Sequence, residues 1–333
     1  MPVNPITVSV IIPAYNASAT IGRALEALSR QDYLQGFEVI VVDDGSPDKT
    51  GDIVRSFPAV RYVRQDNAGP ASARNHGARL AKGEYLAFTD SDCLAHPDWI
   101  SRLMAGFAGE KVGVVAGSYG IANPESRLAR GIYKEILWRH THLMSDYPGA
   151  FGSYNFCIRK SVFDRVGGFD TGYRRASGED NDLSYKITQS GARIYFQRQA
   201  LVDHYHTVRV GKYLKEQFQH GFWRLKMYMD HPRMMRGDGY TFWKDMVEIP
   251  LAASCLAAVP LSACHALKFS DAARFLLLPF FIFETAFACF VTRSFLEGIV
   301  FGCVLLLRAF ARLFGLSTGI LFFLVKKTCK IFQ

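Results

Sequence analysis

The stretch FEVIVVDDGS, residues 37–46, is a run of aromatic and β-branched residues that stops at two aspartates and a Gly-Ser turn. An apolar run this short and continuous reads as a strand buried on both faces. Upstream, ITVSVIIP at 6–13 has the same character, and a helical pattern from Ala17 to Arg30 separates the two. That is a βαβ unit. A third strand at Val60 to Arg64, a helix from Ala71 to Ala81 and a fourth strand at Tyr85 to Thr89 continue the alternation of a mostly parallel α/β sheet. In such sheets ligands gather beyond the carboxyl ends of the strands. Tyr15 and Asn16 follow the first strand, Asp43 and Asp44 the second, and Asp90 and Asp92 the fourth. Asp-Gly-Ser alone is ordinary turn chemistry, so the argument for a site is the recurrence of such residues at successive strand ends.

At 333 residues and 49% hydrophobic content the chain exceeds one ordinary domain, and its apolar excess is local. Alternating strands, helices and polar turns run to about Thr241; long apolar runs with few charges start at Ile249. We therefore expect a catalytic domain over 1–244, with a basic amphipathic helix at about 211–229, and a membrane-associated helical region over 245–333. Residues 6–13 are too short for the apolar core of a secretory signal, so the first domain is expected to stay in the cytoplasm. Seven cysteines without a C-x-x-C pair argue against a zinc knuckle and a disulfide framework. The net charge of +9 fits nucleic acid, anionic lipid or a phosphorylated substrate, and the apolar tail tilts the choice to lipid and diphosphate and away from nucleic acid.

Thr89-Asp90-Ser91-Asp92 places two carboxylates at i and i+2 just past a buried strand. The pair suits a hard cation that also touches a diphosphate, because Mg²⁺ takes one or two protein carboxylates and completes its shell with phosphate and water. A turn or helix cap would use the same residues. Four segments in order, VSVIIPAYN (8–16), VIVVDDGSPDKT (39–50), GPASARNHGARLAKGEYLAFTDSD (69–92) and GGFDTGYRRASGEDNDLSYKI (167–187), resemble the family 2 glycosyltransferases of the GT-A fold. The likeness covers roughly residues 6 to 225. It is similar in particular to bacterial membrane-associated exopolysaccharide transferases of the succinoglycan type.

The resemblance implies a GT-A catalytic domain and a nucleotide-sugar donor. Pro13, Tyr15 and Asp44 would line the pocket for its base and ribose, and Arg74 would lie near its diphosphate. Asp90 and Asp92 would hold the nucleotide and its Mg²⁺ or Mn²⁺. Asp180 would match the base that takes the acceptor hydroxyl proton, giving inversion at the anomeric carbon; its bland alternative is a helix N-cap. His204 or His206, in DHYH at 203–206 after an expected strand, would complete the metal site.

Processive relatives carry Q-x-x-R-W, whereas here Gln219 and Trp223 bracket Phe222 at the Arg position, which favours transfer of a single sugar. In the tail, Ile249 to Leu267 and Phe275 to Val291 read as two spans, and Arg308 and Arg312 break the next apolar stretch into pieces too short to cross. Basic residues then place both termini in the cytoplasm, at the inner membrane. The expected partners are a nucleotide-sugar donor, a lipid-linked or glycan acceptor and membrane lipids. A polyprenyl-phosphate acceptor and an idle scaffold with the same fold are the alternatives.

Overall fold

The computed structural model describes residues 6–109, 111–173, 178–232, 242–263 and 273–331. The chain forms two compact units, one of residues 1–122 with 144–205 and one of 123–143 with 206–333.

The first unit is an eight-stranded mixed sheet. In chain order its elements are β1 (Ile6–Ala14), α1 (Ile21–Leu28), β2 (Gly36–Asp43), α2 (Thr50–Arg55), β3 (Val60–Arg64), α3 (Pro70–Leu80), β4 (Tyr85–Thr89), β5 (Cys93–Ala95) and α4 (Trp99–Ala105). After them come β6 (Val112–Ile121), β7 (Asn155–Arg159), α6 (Lys160–Arg165), α7 (Glu179–Gln189) and β8 (Arg193–His204), with α5 belonging to the other unit. The sheet order is β3-β2-β1-β4-β7-β6-β8-β5. β3, β2, β1 and β4 run parallel, as the βαβ pattern predicts; the centres of β2, β1 and β4 are buried on both faces, and β3 is the half-exposed edge. β7 then pairs antiparallel with both β4 and β6. Val8, Val10, Ile12 and Val41 pack with Leu25, Trp99 and Leu103 into the main core.

This topology sets the site edge. β1, β2 and β4 end at Ala14, Asp43 and Thr89, in register through Ala14↔Asp43 and Ile11↔Phe88. β5 pairs antiparallel with the end of β8, and Cys93 stands opposite His204. The strand that carries the histidine is thus stitched to the residues that directly follow Asp92.

The second unit consists of α5 (Arg127–His142), α8 (Val210–Asp230), α9 (Trp243–Ala263), α10 (Leu278–Thr292), which follows a π-helical turn at Ala273–Leu277, and α11 (Phe295–Ile331). The expectation that the last apolar stretch is broken at Arg308 and Arg312 is corrected: α11 is one continuous helix. Both arginines face inward. Arg308 pairs with Glu135 at 2.7 Å and Glu248 at 3.1 Å, and Arg312 pairs with Glu248 at 2.6 Å. Arg139 meets Asp245 at 2.7 Å and Lys244 meets Glu284 at 2.5 Å. Four acids and four bases therefore neutralise one another inside the unit, which removes most of the penalty that each would carry alone.

Close approach of α11 to its neighbours uses two small-residue steps. A Cβ at Gly298 or Gly302 would collide with Cys289 or Thr285 of α10, and at Gly315 or Gly319 with the backbone of Phe218 or Phe222 of α8. Phe222 packs on Phe322 and Phe323, with ring centroids 5.5 and 5.3 Å apart. Among the described residues, Phe275–Thr292 and Phe295–Phe323 are long and apolar enough to cross a membrane. The expected span Ile249 to Leu267 begins inside α9, and its residues 264–267 lie outside those described, as does most of the loop from Lys268 to Arg274.

Candidate active site

At the ends of β1 and β2 the backbone is tied across the strands. The Asp44 amide donates to the Ala14 carbonyl at 2.8 Å, and the Asn16 amide to Ser46 Oγ at 3.0 Å. Asn16 takes a left-handed conformation, with φ of 52°, and so turns the chain sharply after Tyr15. Pro13 is buried beneath this turn and Tyr15 is 50% exposed on it. The buried carboxylate of Asp44 accepts from Gln65 Nε2 at 2.7 Å and from the amides of Ala68 and Gly69 at 2.9 and 2.8 Å. It thereby fixes the loop that leads into α3. Asp43 holds the other side of the turn, accepting from the Ser46 amide and from the Tyr62 hydroxyl.

The second turn of α3 aims Arg74 into the interior, where the residue is 2% exposed. One terminal nitrogen reaches Asp90 at 2.8 Å and the other reaches Glu179 at 3.1 Å. Arg74 therefore joins the end of β4 to the first turn of α7, 105 residues from it in sequence. Glu179, which sequence reasoning did not single out, is its buried counter-ion. The signal was present in GED at 178–180, where two adjacent acids open a helix and only one can serve as a base.

Asp180 sits beside Glu179, half-buried in the same turn. Burial pushes its carboxyl above the usual carboxylate range, against the opposing pull of the Asn181 amide and the Arg74 charge. A base with a raised affinity for protons is suited to taking one from a hydroxyl. The turn is braced by Ser184, whose hydroxyl donates to the Asp180 carbonyl at 2.7 Å and accepts from the Phe151 amide.

On the other side of Asp90, Asp92 lies 3.5 Å from His204 Nε2. Ligand atoms of Asp92, Cys93 and His204 all fall within 4.8 Å of one another. A carboxylate oxygen and an imidazole nitrogen at this separation fit Mg²⁺ or Mn²⁺, with Asp90 two positions before Asp92 in sequence. Burial pushes the Cys93 thiol well above its ordinary value, so it stays protonated and offers the ion no thiolate. Tyr119 meets the His204 ring edge-on at 5.4 Å and stacks on Tyr154 at 3.7 Å, two contacts the sequence did not announce. His206 has a different setting: Asn123 brackets its backbone, donating to its carbonyl at 2.7 Å and accepting from its amide at 3.1 Å.

The architecture is GT-A: an α/β sheet whose successive strand ends carry acidic residues, extended by antiparallel β7. The solved mannosyltransferase PcManGT of Pyrobaculum calidifontis, in complex with GDP-Man and Mn²⁺, has the same fold over 94% of this chain and 90% of its own, with a TM-score of 0.57 and 21% identity. The Glycosyl transferase family 2 model matches residues 9–178, and the chain belongs to that family. The glycosyltransferase AglE of Haloferax volcanii is 30% identical over 67% of this chain and 74% of its own. A validoxylamine A glucosyltransferase of Streptomyces hygroscopicus is 33% identical over 58% of this chain. The chain spans about half the length of the two validoxylamine A glucosyltransferases that it matches.

Proposed function

We propose that the protein transfers a single sugar, with inversion, from a nucleotide-sugar donor to a lipid-linked or membrane-proximal glycan acceptor. The observation that carries this reading is Arg74, which holds the Asp90 strand end and the Glu179–Asp180 turn as one constellation. In that constellation Pro13, Tyr15 and Asp44 form the wall for the base and ribose. Asp90, Asp92 and His204 would hold Mg²⁺ or Mn²⁺. An ion held there would supply positive charge to offset the negative charge that grows on the leaving diphosphate. Arg74 fixes Asp90 from behind. Asp180 takes the proton from the acceptor hydroxyl as its oxygen forms a bond to the anomeric carbon, and the bond from that carbon to the phosphate oxygen breaks on the opposite face. Nucleoside diphosphate leaves with the electron pair. Phe222, engaged with apolar rings of α11, supports single transfer over processive growth.

The setting in this reading is the inner membrane, with the catalytic unit in the cytoplasm. Its support is the outer surface of the second unit, where Phe275, Leu278, Ile282, Phe290, Phe295 and Leu321 are each at least half exposed. Exposed apolar area on that scale marks a lipid or protein contact. The test is nucleoside diphosphate release from UDP-, GDP- and dTDP-sugars by detergent-purified protein with Mg²⁺ or Mn²⁺, with and without membrane lipid extract. Lipid-stimulated, metal-dependent release from one donor is expected. Release unaffected by chelation would remove the metal, and no release from any donor by folded protein supplied with lipid acceptors would remove the transferase reading.

A further inference from the structure

Helices such as α10 and α11 can cross a bilayer or lie along it, and the packing of α11 separates the two. We propose that α10 and α11 lie in the plane of the membrane, sunk into one leaflet, with their partner the acyl chains of anionic lipid. The inference rests on the membrane attachment proposed above and adds its topology. Leu296, Val300, Leu307, Phe314 and Leu321 recur at spacings of four and seven, and each is at least 41% exposed. They form one apolar stripe along the outer side of α11.

The inner side of α11 is covered, and among its buried Phe301, Val304, Leu305 and Ala309 it carries the charges of Glu297, Arg308 and Arg312. α5 lies along its first half, with Arg130 and Lys134 at 2.6 and 3.0 Å from Glu297 and Glu135 at 2.7 Å from Arg308. α8 lies along its second half, through Gln217 to Arg312 at 2.9 Å and Phe222 to Phe323. Neither cover helix suits hydrocarbon. α5 has Arg127, Arg130, Lys134, Glu135 and Arg139 within its sixteen residues, and α8 exposes Lys212 and Lys215. If α11 crossed, both would sit at acyl depth, where the exposed charges of Arg127, Lys212 and Lys215 would each cost about 2.5–3.5 kcal/mol on the mildest scale. α5 is also joined by the chain at both ends to the first unit, at Ala122 and at Met144. Laid flat, the same packing keeps α5 and α8 on the aqueous side and the stripe in lipid, as an interfacial helix requires.

Length and charge agree. The apolar stretch Phe295–Phe323 has 29 residues, about 43 Å of helix against a hydrocarbon core of about 30 Å. The second unit has 20 Lys and Arg against 10 Asp and Glu, a net +10, whereas the first has 19 against 20, a net −1. The whole cationic surplus thus lies in the unit that would face anionic headgroups.

The experiment uses the full chain in membrane vesicles of both orientations, in a background cleared of its native reactive thiols. Arg293→Cys, at the turn between α10 and α11, and Leu34→Cys, on the exposed surface of the catalytic unit, are labelled with an impermeant maleimide. Lying flat, both react from the same face and neither from the other; a hairpin that crosses exposes Arg293→Cys on the opposite face, which would overturn the proposal. Nitroxides at Leu296, Leu307, Phe314 and Leu321 give depth. Equal shallow depth along the stripe is expected, and a depth that passes through a maximum along the helix refutes the flat arrangement. No lipid contact at any of the four refutes the membrane attachment itself. None of these readouts depends on transfer activity, so the topology and the transferase reading fail separately.

Discussion

Replacing Arg74 with methionine tests whether the constellation is held by charge. The substitution keeps much of the apolar stem and removes the cation 2.8 Å from Asp90 and 3.1 Å from Glu179. The Glu179 side chain is 2% exposed, so losing that cation falls in the range for breaking a buried pair, about 3–5 kcal/mol. Asp90 is 29% exposed and water screens its share, which puts the total near the lower end, about 3 kcal/mol. For a unit of this size each kcal/mol moves the melting temperature by about 2–4 °C, so a fall of about 6–12 °C is expected. Glu179→Gln in the Arg74→Met background should restore most of it, because the uncompensated charge is then gone. The assay is a double-mutant cycle on thermal unfolding of the detergent-purified protein, followed by a probe confined to the catalytic unit. Singles that add without coupling, or Arg74→Met melting with wild type, would refute the claim that Arg74 and Glu179 act as a pair.

Asp180→Asn is expected to lower kcat by about 10²–10⁴ while donor KM stays near wild type, as loss of a general base does; unchanged kcat removes the assignment. Because burial raises the Asp180 carboxyl and the base must be ionised, the rate falls as pH drops through a midpoint above the ordinary value of about 3.9. A kcat/KM profile at saturating metal that stays flat to pH 4 would contradict that. Asp92→Ala and His204→Ala should each raise the Mn²⁺ concentration for half-activation by about tenfold or more, since even outer-sphere partners of a metal cost that much; Mn²⁺ titration of nucleoside diphosphate release decides it. Gly315→Leu forces side-chain volume into the Phe218 backbone and should destabilise the helical unit by about 1–3 kcal/mol, read as faster proteolysis of α8, with Leu316→Ala as the nearby control.

The parallel half of the sheet was legible because a doubly buried strand leaves a short, mostly apolar run bounded by turn residues, and ITVSVIIP, FEVIVV and YLAFT are such runs. β1 to β4 lie where the pattern puts them. β5 escaped notice because Cys93–Ala95 is three residues long and exists only through its pairing with Val202–His204. That pairing sets His204 beside Asp92, so the company the histidine keeps is a tertiary fact with no local trace. The partnership of Arg74 with Glu179 is of the same kind. The family resemblance put Arg74 near the diphosphate, but its counter-ion comes from a helix 105 residues away.

The helical unit was misread at Arg308 and Arg312 for a physical reason. A charge in an apolar run is costly against lipid, so one-dimensional reading ends the apolar stretch there. The cost disappears when partners arrive from elsewhere, and here they come from Glu135 of α5 and Glu248 of α9. Window averages cannot see this, because Glu135 lies 173 residues upstream in a helix whose own sequence is too polar to enter a membrane account at all. The composition of α5 becomes intelligible only through α11: its acid meets Arg308, its Arg130 and Lys134 meet Glu297, and Gly131 lets it approach Phe301. A polar helix built to lie on the inner face of an apolar one needs water or protein on its remaining sides. That requirement, more than the hydropathy of α11 itself, is what favours the flat arrangement proposed above, with lipid on the opposite face.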